Sequence, residues 1–501
     1  MQTTSSDLQE NKNERQSLDW DIRNAFRNYL TLVFTQAISM CFSFASVWLI
    51  TVYLGSEGYG SVVLAISISQ LIQTTVNWTA VALARHAAEE FVRTGNINYS
   101  FWARSAVLIL NIFLVALPLT FLIPLISEWT NLPLEFYVFV ALHFLSQAFW
   151  LHIQHALQGA KLLKLQGRLL ALERIIIFLL LAAFIANKNL NIYSALICYI
   201  LPAICVGVAG LFSLRKYLSR IDLNFLYIRK VLRFSFPLLP LSIVGYLSTN
   251  YLDAILIAKY LDIAAAGVYS VAYQANGIFM QLLVIANTLL MPFFVTIHSE
   301  DRFDITKLYF EKALPLLVLI FSFFYTAIVV LLAFLLPVVF KNGFTELGKV
   351  LLVLGMSACS ASPFLLGYAP FTNSISATYI SMFSGIALSS ANVLGNMILI
   401  PKYGILGSAW ATAISYELSV LIAFLLIKFK FPTISNIAIV MPLPSFISLT
   451  YALMTENYAF SLIINMIISI VALSICKISF SDLKLLERII NYKKITTKEA
   501  M

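Results

Sequence analysis

Apolar residues run through this chain in windows of about 20 residues, which are separated by short polar stretches. A helix of that length crosses a hydrocarbon core of about 30 Å. The pattern predicts an all-α polytopic membrane protein with about 14 transmembrane helices. They are expected at about 29–52, 61–83, 103–126, 136–157, 168–186, 192–213, 233–257, 266–296, 313–340, 347–370, 378–399, 405–427, 433–453 and 459–476.

Composition agrees with this pattern. Of the 501 residues 60% are hydrophobic and only 11% charged, and the mean hydropathy is +0.87. A soluble globule of this size needs far more polar surface. The longest loops have about 20 residues, which is too few for a folded catalytic domain on either side.

The 33 Lys and Arg residues are divided unequally between the loops. Both tails and the loops after even-numbered helices hold 27 of them, and the other loops hold 5. The positive-inside rule therefore predicts that both termini are cytoplasmic. Because the basic residues never form a domain, the net charge of +9 does not indicate a nucleic-acid partner.

No motif indicates a cofactor or a metal. The five cysteines are scattered through apolar segments, and His143, His152 and His155 spread over about half the circumference of helix 4. Phosphate-binding glycine loops and metalloprotease or hydrolase motifs are absent from the sequence.

A weak internal repeat predicts two lobes. "YLGSEGYGSV" at 53–62 and "YLDIAAAGVYSV" at 260–271 both join an odd helix to an even one, six helices apart. The predicted organisation is a cytoplasmic tail (1–28), an N-lobe of helices 1–6 (29–216), a cytoplasmic linker (217–232), a C-lobe of helices 7–12 (233–430), helices 13 and 14 (431–476), and a cytoplasmic tail (477–501).

Polar side chains line one face of four predicted helices, at 100° per residue. Two interpretations stay open, namely hydrogen bonding between helices and a hydrated cleft between the lobes that accepts a hydroxyl-rich ligand. The faces contain Gln70, Thr74, Asn77 and Arg85 on helix 2, His143, Gln147, Gln154 and Gln158 on helix 4, Ser242, Tyr246, Asn250 and Asp253 on helix 7, and Tyr269, Tyr273, Asn276 and Asn287 on helix 8.

Few ionisable residues lie within the predicted spans. Asp253 either binds a coupling H⁺ or Na⁺ or is a structural partner of Lys259 or of a neighbouring helix. Glu173 and Arg174 are expected to be a pair near the end of helix 5. Arg85 either contacts a phosphate or only sets topology.

The segment "LIPKYGILG" between helices 11 and 12 is expected to form a turn and to pack two helices together, not to bind substrate. Pro401 lacks an N–H and is expected to end helix 11, while Gly404 permits the reversal. Gly404, Ser408, Ala411 and Ser415 form a strip of small residues that predicts close approach of a neighbouring helix.

Three stretches carry a resemblance to a known family: "YLGSEGYGSVVLAISISQLIQ", "FSFPLLPLSIVGYLSTNYLDAILIAKYLDIAAAGVYSVAYQ" and "NVLGNMILIPKYGILGSAWATAISYELS". Over roughly residues 25–430 the chain resembles the polysaccharide-transporter family, in particular its O-antigen and lipid-linked oligosaccharide flippases. These belong to the superfamily that includes lipid II flippases and multidrug and toxin extrusion transporters.

The resemblance implies a multi-pass protein of the plasma (inner) membrane with a central cavity between two lobes, open alternately to each side. Its substrate would be a polyprenyl-pyrophosphate oligosaccharide moved to the outer leaflet, and the driving force a gradient of H⁺ or Na⁺. Membrane lipids, a polysaccharide polymerase and chain-length proteins would be partners. Helix 1 lacks the arginines of lipid II flippases and the acid of multidrug exporters, since it carries Gln36, Ser39 and Ser43 instead.

We therefore expect a flippase and not an enzyme. The predicted roles are substrate contact, with Arg85 on the phosphate, and ion coupling by Asp253. The other predicted substrate contacts are Gln70, Asn77, His143, Gln147, Tyr246, Asn250, Tyr273 and Asn276. The alternatives are a cation-coupled exporter of small amphipathic molecules and a membrane-embedded polymerase or ligase of the same glycolipids.

Overall fold

A computed structural model describes residues 5–476 apart from 131, 220, 237, 238, 248, 300, 301, 341, 342, 433 and 436. In the described residues all the regular secondary structure is helical. The first helices are α1 Ser5–Val76, α2 Ala80–Thr94, α3 Asn98–Thr130, α4 Leu134–Gly159, α5 Leu163–Ala186, α6 Ile192–Leu214 and α7 Phe225–Ser235.

The helices that follow are shorter in the middle of the chain and longer toward its end. They are α8 Leu239–Leu247, α9 Asn250–Tyr260, α10 Ile263–Ser299, α11 Phe303–Leu308, α12 Leu314–Phe340, α13 Leu347–Pro363, α14 Ala369–Ser374, α15 Thr378–Tyr403, α16 Ile405–Lys430, α17 Ile437–Val440, α18 Leu443–Thr455 and α19 Tyr458–Ile475. Five-residue π-helical segments precede α12 and α14.

Twelve helical segments of the described chain are long and apolar enough to cross a membrane. Most match the predicted windows to within a few residues, so the prediction of an all-α polytopic fold is confirmed. The predicted number of 14 differs in two places. Phe34–Val76 is a single segment that covers predicted helix 1 and most of helix 2, and the region of predicted helix 7 contains the short helices α8 and α9.

Three interruptions lie in these regions, and the first, at Gly55, agrees with the turn predicted between helices 1 and 2. Gly55 has φ 74° and ψ −173°, a conformation outside the helical region that glycine adopts without steric cost. Residues 77–79 separate α1 from α2, and α8 ends at Leu247 before α9 begins at Asn250. Irregular backbone at membrane depth is tolerated where it is buried in protein or lines a cavity, because its polar groups need partners.

The chain divides into two compact units. The first consists of residues up to 49, 72–125 and 134–239, and the second of residues 50–71, 126–133 and 240 onward. Residues 50–71, which were assigned to the N-lobe in the sequence-based division, therefore belong to the second unit. The lobe boundaries themselves stay a prediction.

Small residues bring helices close together in the first unit. A Cβ on Gly159 of α4 would lie 2.4 Å from Ala87 Cβ of α2, and a Cβ on Gly207 of α6 would lie 2.5 Å from the ring of Phe149. Around these contacts Leu83, Trp150 and other apolar side chains form a buried cluster. Aromatic side chains from α10, α14 and the two π-helical segments form the centre of the corresponding cluster of the second unit, namely Phe294, Tyr309, Phe310, Tyr368 and Phe371.

The two copies of the sequence repeat lie against each other within the second unit. A Cβ on Gly60 would lie 1.9 Å from the carbonyl oxygen of Ile263, and one on Gly267 would lie 2.3 Å from the carbonyl oxygen of Ser56. Near this contact Gln274 Nε2 donates a hydrogen bond to the Tyr59 hydroxyl at 2.7 Å. Only glycine permits so close an approach of the two backbones.

One expectation about the turn at 401 is wrong. Helix α15 continues through Pro401 to Tyr403, and the reversal occurs at Gly404 alone, with φ 60° and ψ −144°. Pro401 removes one backbone hydrogen bond from the last turn of α15. The helix nevertheless continues to Tyr403, because the Gly404 N–H donates to the carbonyl oxygen of Ile400 at 2.9 Å and closes this turn.

Candidate functional site

The side chain of Asp253 is the centre of a polar cluster in the second unit. It lies in the first turn of α9, which begins at Asn250 directly after the break in the helical backbone. Only 1% of the residue is exposed. The amino end of a helix favours a negative charge at this position.

Neutral donors from three other helices reach the Asp253 carboxylate. Asn396 Nδ2 on α15 donates to Oδ1 at 2.8 Å, and the Tyr269 hydroxyl on α10 donates to Oδ2 at 2.7 Å. The Thr412 hydroxyl on α16 lies 3.4 Å from the same Oδ2. Since burial of a lone carboxylate is costly, these donors are what stabilise it in its ionised form.

Asp253 has no basic partner among the residues that the structure describes. In particular, Lys259 does not form an ion pair with it. Pairing with Lys259 is therefore excluded, whereas the hydrogen bonds of Asp253 to α10, α15 and α16 agree with a structural partner of neighbouring helices, and the coupling role stays a prediction. A buried acid with only neutral partners remains able to take up a proton or a cation.

A second layer of amide groups surrounds the carboxylate. Asn396 Nδ2 also donates to Asn392 Oδ1 at 3.0 Å, and Asn392 Nδ2 donates to Thr412 Oγ1 at 3.2 Å. The remaining atom, Asn396 Oδ1, is buried and accepts no hydrogen bond from a described residue. Carboxylate, amide and hydroxyl oxygens are the ligands of hard cations.

The Gly404 turn explains how two of these helices meet. Gly407 would place a Cβ 2.2 Å from the carbonyl oxygen of Leu399, and Gly395 would place one 2.9 Å from Ala411 Cβ. Such contacts hold α15 and α16 together along their length. The strip of small residues is buried apart from half-buried Gly404, and the close packing of the two helices brings Asn392 next to Thr412.

The first unit contains a buried charge of the opposite sign. Arg104 on α3 is 0% exposed. Its guanidinium contacts His152 Nδ1 at 2.6 Å and donates to the Asn77 side-chain oxygen. Asn77 lies at the break between α1 and α2 and donates to Gln73, which in turn donates to the carbonyl oxygen of Phe144 at 2.7 Å.

Arg104, like Asp253, is surrounded by neutral groups. No carboxylate of the described chain pairs with its guanidinium, and its Nε is buried with no hydrogen-bond partner there. A guanidinium presents five donors in a fixed plane, which suits a phosphate or a carboxylate. The two contacts use only two of these five donors, and Nε has none, so the cluster has more donors than its neighbours use.

Glu173 is a further buried acid in the first unit, with 1% exposure. The Trp150 indole donates to Oε2 at 3.0 Å, and the Gln147 amide donates to Oε1 at 3.3 Å. Glu173 forms no ion pair with Arg174 in the described structure. The expectation of a helix-end pair is thus wrong, because the glutamate side chain is directed to α4 instead.

The other predicted substrate contacts have varied surroundings. Buried Tyr246 donates to the carbonyl oxygen of Ser67 at 3.2 Å, and buried Asn276 accepts from the Tyr325 hydroxyl. His143 is buried, Gln70 and Tyr273 are half-buried, and the side chain of Asn250 lies outside the described residues. Their roles as cleft residues stay predictions.

Arg85 lies on the exposed side of α2. Its Nε is 3.3 Å from Glu89 Oε1, and its guanidinium carbon is 4.6 Å from the centre of the Phe234 ring. The His86 imidazole and the Arg85 guanidinium lower the pKa of Glu89. The phosphate contact predicted for Arg85 is untested by this geometry.

The comparison with known families agrees with this architecture. Residues 25–298 match the model of a family described as "polysaccharide biosynthesis protein". The chain belongs to this family. No curated protein matches the sequence.

Solved structures place this polysaccharide biosynthesis family member in a known fold. Lipid II flippase MurJ in an inward closed conformation has a TM-score of 0.67 at 15% identity, covering 89% of this chain and 98% of its own. An inward-facing multidrug resistance MATE transporter of the MOP superfamily has 0.59 at 13% identity, covering 79% and 95%. The MATE multidrug transporter DinF-BH has 0.53 at 14% identity, covering 81% and 95%. At these identities the likeness establishes the fold alone.

Sequence reasoning missed several residues of both clusters in this family member. Asn392 and Asn396 are one helical turn apart on predicted helix 11, and Thr412 lies on predicted helix 12. The same comparison of polar faces, applied to helices 11 and 12, would have found them. Arg104 was counted with the topology-setting charges near the start of helix 3. Nothing in its sequence position distinguishes a buried arginine from an interfacial one.

Proposed function

We propose that the protein moves a polyprenyl-pyrophosphate-linked oligosaccharide, such as an O-antigen unit, from the cytoplasmic to the outer leaflet of the plasma membrane. A sugar headgroup cannot cross hydrocarbon unaided, since each dehydrated hydroxyl costs several kcal/mol. A protein interior with amides, phenols and hydroxyls replaces the lost water contacts. Family membership and the buried polar side chains on several helices support this substrate class.

The Asp253 cluster supports coupling of this movement to a cation. The carboxylate is buried, four helices contribute to its surroundings, and its partners are neutral. Binding of Na⁺ or H⁺ there neutralises the charge and changes the hydrogen bonds of Tyr269, Asn396 and Thr412. Coupling of alternating access to an ion gradient requires a group that binds the ion with an affinity that differs between the two open states.

The breaks in the helices support a rocking movement. Asp253 follows the break between α8 and α9, and Asn77 lies in the break between α1 and α2. In many transporters, discontinuous helices form the substrate and ion sites. We assign the anion-binding part of the mechanism to the first unit, where the unused Arg104 donor favours a pyrophosphate oxygen, and the cation-binding part to the second.

The decisive experiment is transport in reconstituted vesicles. A polyprenyl-pyrophosphate oligosaccharide labelled with a fluorophore on its sugar is incorporated, and a membrane-impermeant reductant reports how much label reaches the outer leaflet. We expect movement that requires the protein and accelerates with an imposed Na⁺ or H⁺ gradient. Equal rates in protein-free vesicles would refute the flippase function.

A cation-coupled exporter of small amphipathic molecules is the second candidate, favoured by the likeness to MATE transporters. The same vesicles distinguish the two candidates when a cationic dye replaces the glycolipid. Uptake of the dye without movement of the glycolipid would favour the exporter. Asp253 has the same coupling role in both.

A further inference from the structure

The segment between α6 and α8 contains the short helix α7, Phe225–Ser235, in the first unit. The membrane-spanning segment before it ends at Tyr217, and α8 begins at Leu239. A linker of about 20 residues between two spans cannot move far from the membrane surface. The charge distribution of the loops predicts the cytoplasmic surface for it.

One face of α7 packs against the protein. Val231 and Ser235 are 0% exposed, the ring of Phe234 lies 5.6 Å from that of His86, and Tyr227 stacks on Tyr99 at 5.3 Å. These contacts fix the rotation of α7 about its own axis. The directions of its remaining side chains follow from this rotation.

A second face of α7 is apolar and exposed. At 100° per residue, Phe225, Leu232 and Phe236 fall within about 40° of one another. Their exposed fractions are 75%, 38% and 70%. A soluble surface rarely presents two phenylalanines and a leucine in one strip, but a helix that lies in a membrane interface does.

A third face, directly beside the apolar strip, is basic. Arg229, Arg233 and Lys230 lie between about 40° and 140° from Phe225 on the same helical projection. None of the three pairs with a carboxylate in the described chain. A groove of about 570 Å³ joins the two faces and is lined by Phe225, Ile228, Arg229, Leu232 and Arg233.

We propose that α7 lies in the cytoplasmic interface of the membrane and binds anionic phospholipids there. Phe225, Leu232 and Phe236 contact acyl chains, and Arg229, Lys230 and Arg233 contact headgroup phosphates. The neighbouring apolar and basic faces fit a molecule with a tail and an anionic head, which inorganic phosphate or an acidic protein segment does not match. This inference is independent of the cargo, since it requires only that the protein spans a membrane.

The test uses the full-length protein in vesicles, with Phe225→Trp as the reporter. Lipids brominated in the acyl chain quench a nearby indole, and the signal of the added tryptophan is the difference from the parent protein. Phosphatidylcholine brominated in this way is expected to quench it. Brominated phosphatidylglycerol, diluted into phosphatidylcholine, is expected to bind next to α7 at least about fivefold more strongly than brominated phosphatidylcholine does. This preference should weaken as the salt concentration is raised.

Two triple variants provide the comparison. Arg229→Gln, Lys230→Gln and Arg233→Gln together should reduce the preference for phosphatidylglycerol to about one, while the acyl-chain quenching remains. Lys161→Gln, Lys164→Gln and Arg168→Gln remove the same number of charges from the segment before and at the start of α5 and should leave the preference unchanged.

Three outcomes would overturn the proposal. Absence of quenching would show that α7 does not contact acyl chains. Equal binding of the two lipids, or a preference that survives the first triple variant, would show that the basic face does not select the headgroup. Melting temperatures and elution profiles of all the variants identify any that fail to fold, and for these the single substitutions are measured instead.

Discussion

Asp253 in the second unit and Arg104 in the first are both buried and both held by neutral partners, but their clusters are incomplete in opposite ways. Around Asp253 the unused atom is an acceptor, Asn396 Oδ1, whereas around Arg104 it is a donor, Nε. An extra acceptor beside an anion favours a cation, and an extra donor beside a cation favours an anion. The Asp253 and Arg104 clusters are thus suited to ligands of opposite charge.

The largest effect is expected for Asp253→Asn, which removes the charge and keeps the shape. Breaking a buried charge interaction costs about 3–5 kcal/mol, so cation affinity should fall about 100-fold or more. The measurement is the rise in melting temperature with NaCl relative to choline chloride, together with the response of transport to Na⁺ and H⁺ gradients. Asp262→Asn is the control, because Asp262 is exposed and its side chain caps α10 through the backbone N–H of Ala265.

Transport that keeps its full dependence on the gradient in folded Asp253→Asn protein would remove Asp253 from the coupling role. The second unit would then have no assigned cation ligand, and the proposed contrast between Asp253 and Arg104 would be wrong. Loss of the Na⁺ effect with retention of the H⁺ effect would identify Na⁺ as the ion that Asp253 binds.

Arg104→Met should separate function from stability. A buried charge without an acid contributes little to folding, and an apolar side chain of similar length is often neutral or stabilising. We therefore expect an unchanged or higher melting temperature and, if the guanidinium binds pyrophosphate, transport reduced about tenfold, as for the loss of a charged hydrogen bond. Parallel losses of melting temperature and transport would indicate instead that Arg104 only stabilises the break at Asn77.

Asn396→Leu examines the unused acceptor directly. The substitution removes one donor to Asp253 and the free Oδ1 together. Loss of such a group costs about 1–3 kcal/mol, so Na⁺ affinity should fall about tenfold, less than for Asp253→Asn. Ser389→Ala on the same helix is the matched control, because Ser389 bonds to the carbonyl oxygens of Val244 and Gly385 and not to the cluster. An effect of Asn396→Leu no larger than that of the control would exclude Asn396 as an ion ligand.

The smallest effect is expected for Arg85→Gln. An exposed ion pair contributes at most about 1 kcal/mol, so melting temperature and vesicle transport should change little. A tenfold loss of transport would instead establish Arg85 as the phosphate contact and would weaken the case for Arg104. The same vesicles as for Arg104→Met provide the measurement, so that the two arginines are compared directly.

Much of the fold could be predicted because the membrane imposes one strong pattern. Apolar windows located helices such as α4, α6 and α16 to within a few residues, and the small strip after Gly404 predicted the close packing of α16. The breaks at Asn77 and before Asn250 could not be predicted, since no proline or glycine falls in them. They depend on tertiary partners, such as the Arg104 guanidinium on the Asn77 side chain.

The site was predictable only in part, for a related reason. Asp253 was found because a carboxylate inside an apolar window is costly and conspicuous. Its amide and hydroxyl partners on α15 and α16 cost little free energy at any position of a membrane helix, so they are not conspicuous in the sequence. Their contact with Asp253 depends on how the helices pack. The carboxylate of Glu173 turned toward Trp150 because an indole N–H and an amide lay within reach on α4, which its own sequence neighbourhood does not reveal.

The contact between the two repeated turns has a consequence for mutational tolerance. A methyl group on Gly60 would meet the carbonyl oxygen of Ile263, and one on Gly267 would meet the carbonyl oxygen of Ser56 and, at 3.0 Å, the Gly60 backbone nitrogen, so that both would push the same two segments apart. The first alanine substitution, at either position, must therefore move the two helical segments apart. The second substitution then costs less, because the segments are already separated. Alanine at both sites should cost less than the sum of the single costs, whereas alanine at Gly245 and Gly277, where a Cβ meets nothing within 4 Å, should be additive. The side-chain size that is tolerated at Gly60 thus depends on the residue at position 267, and the reverse also holds.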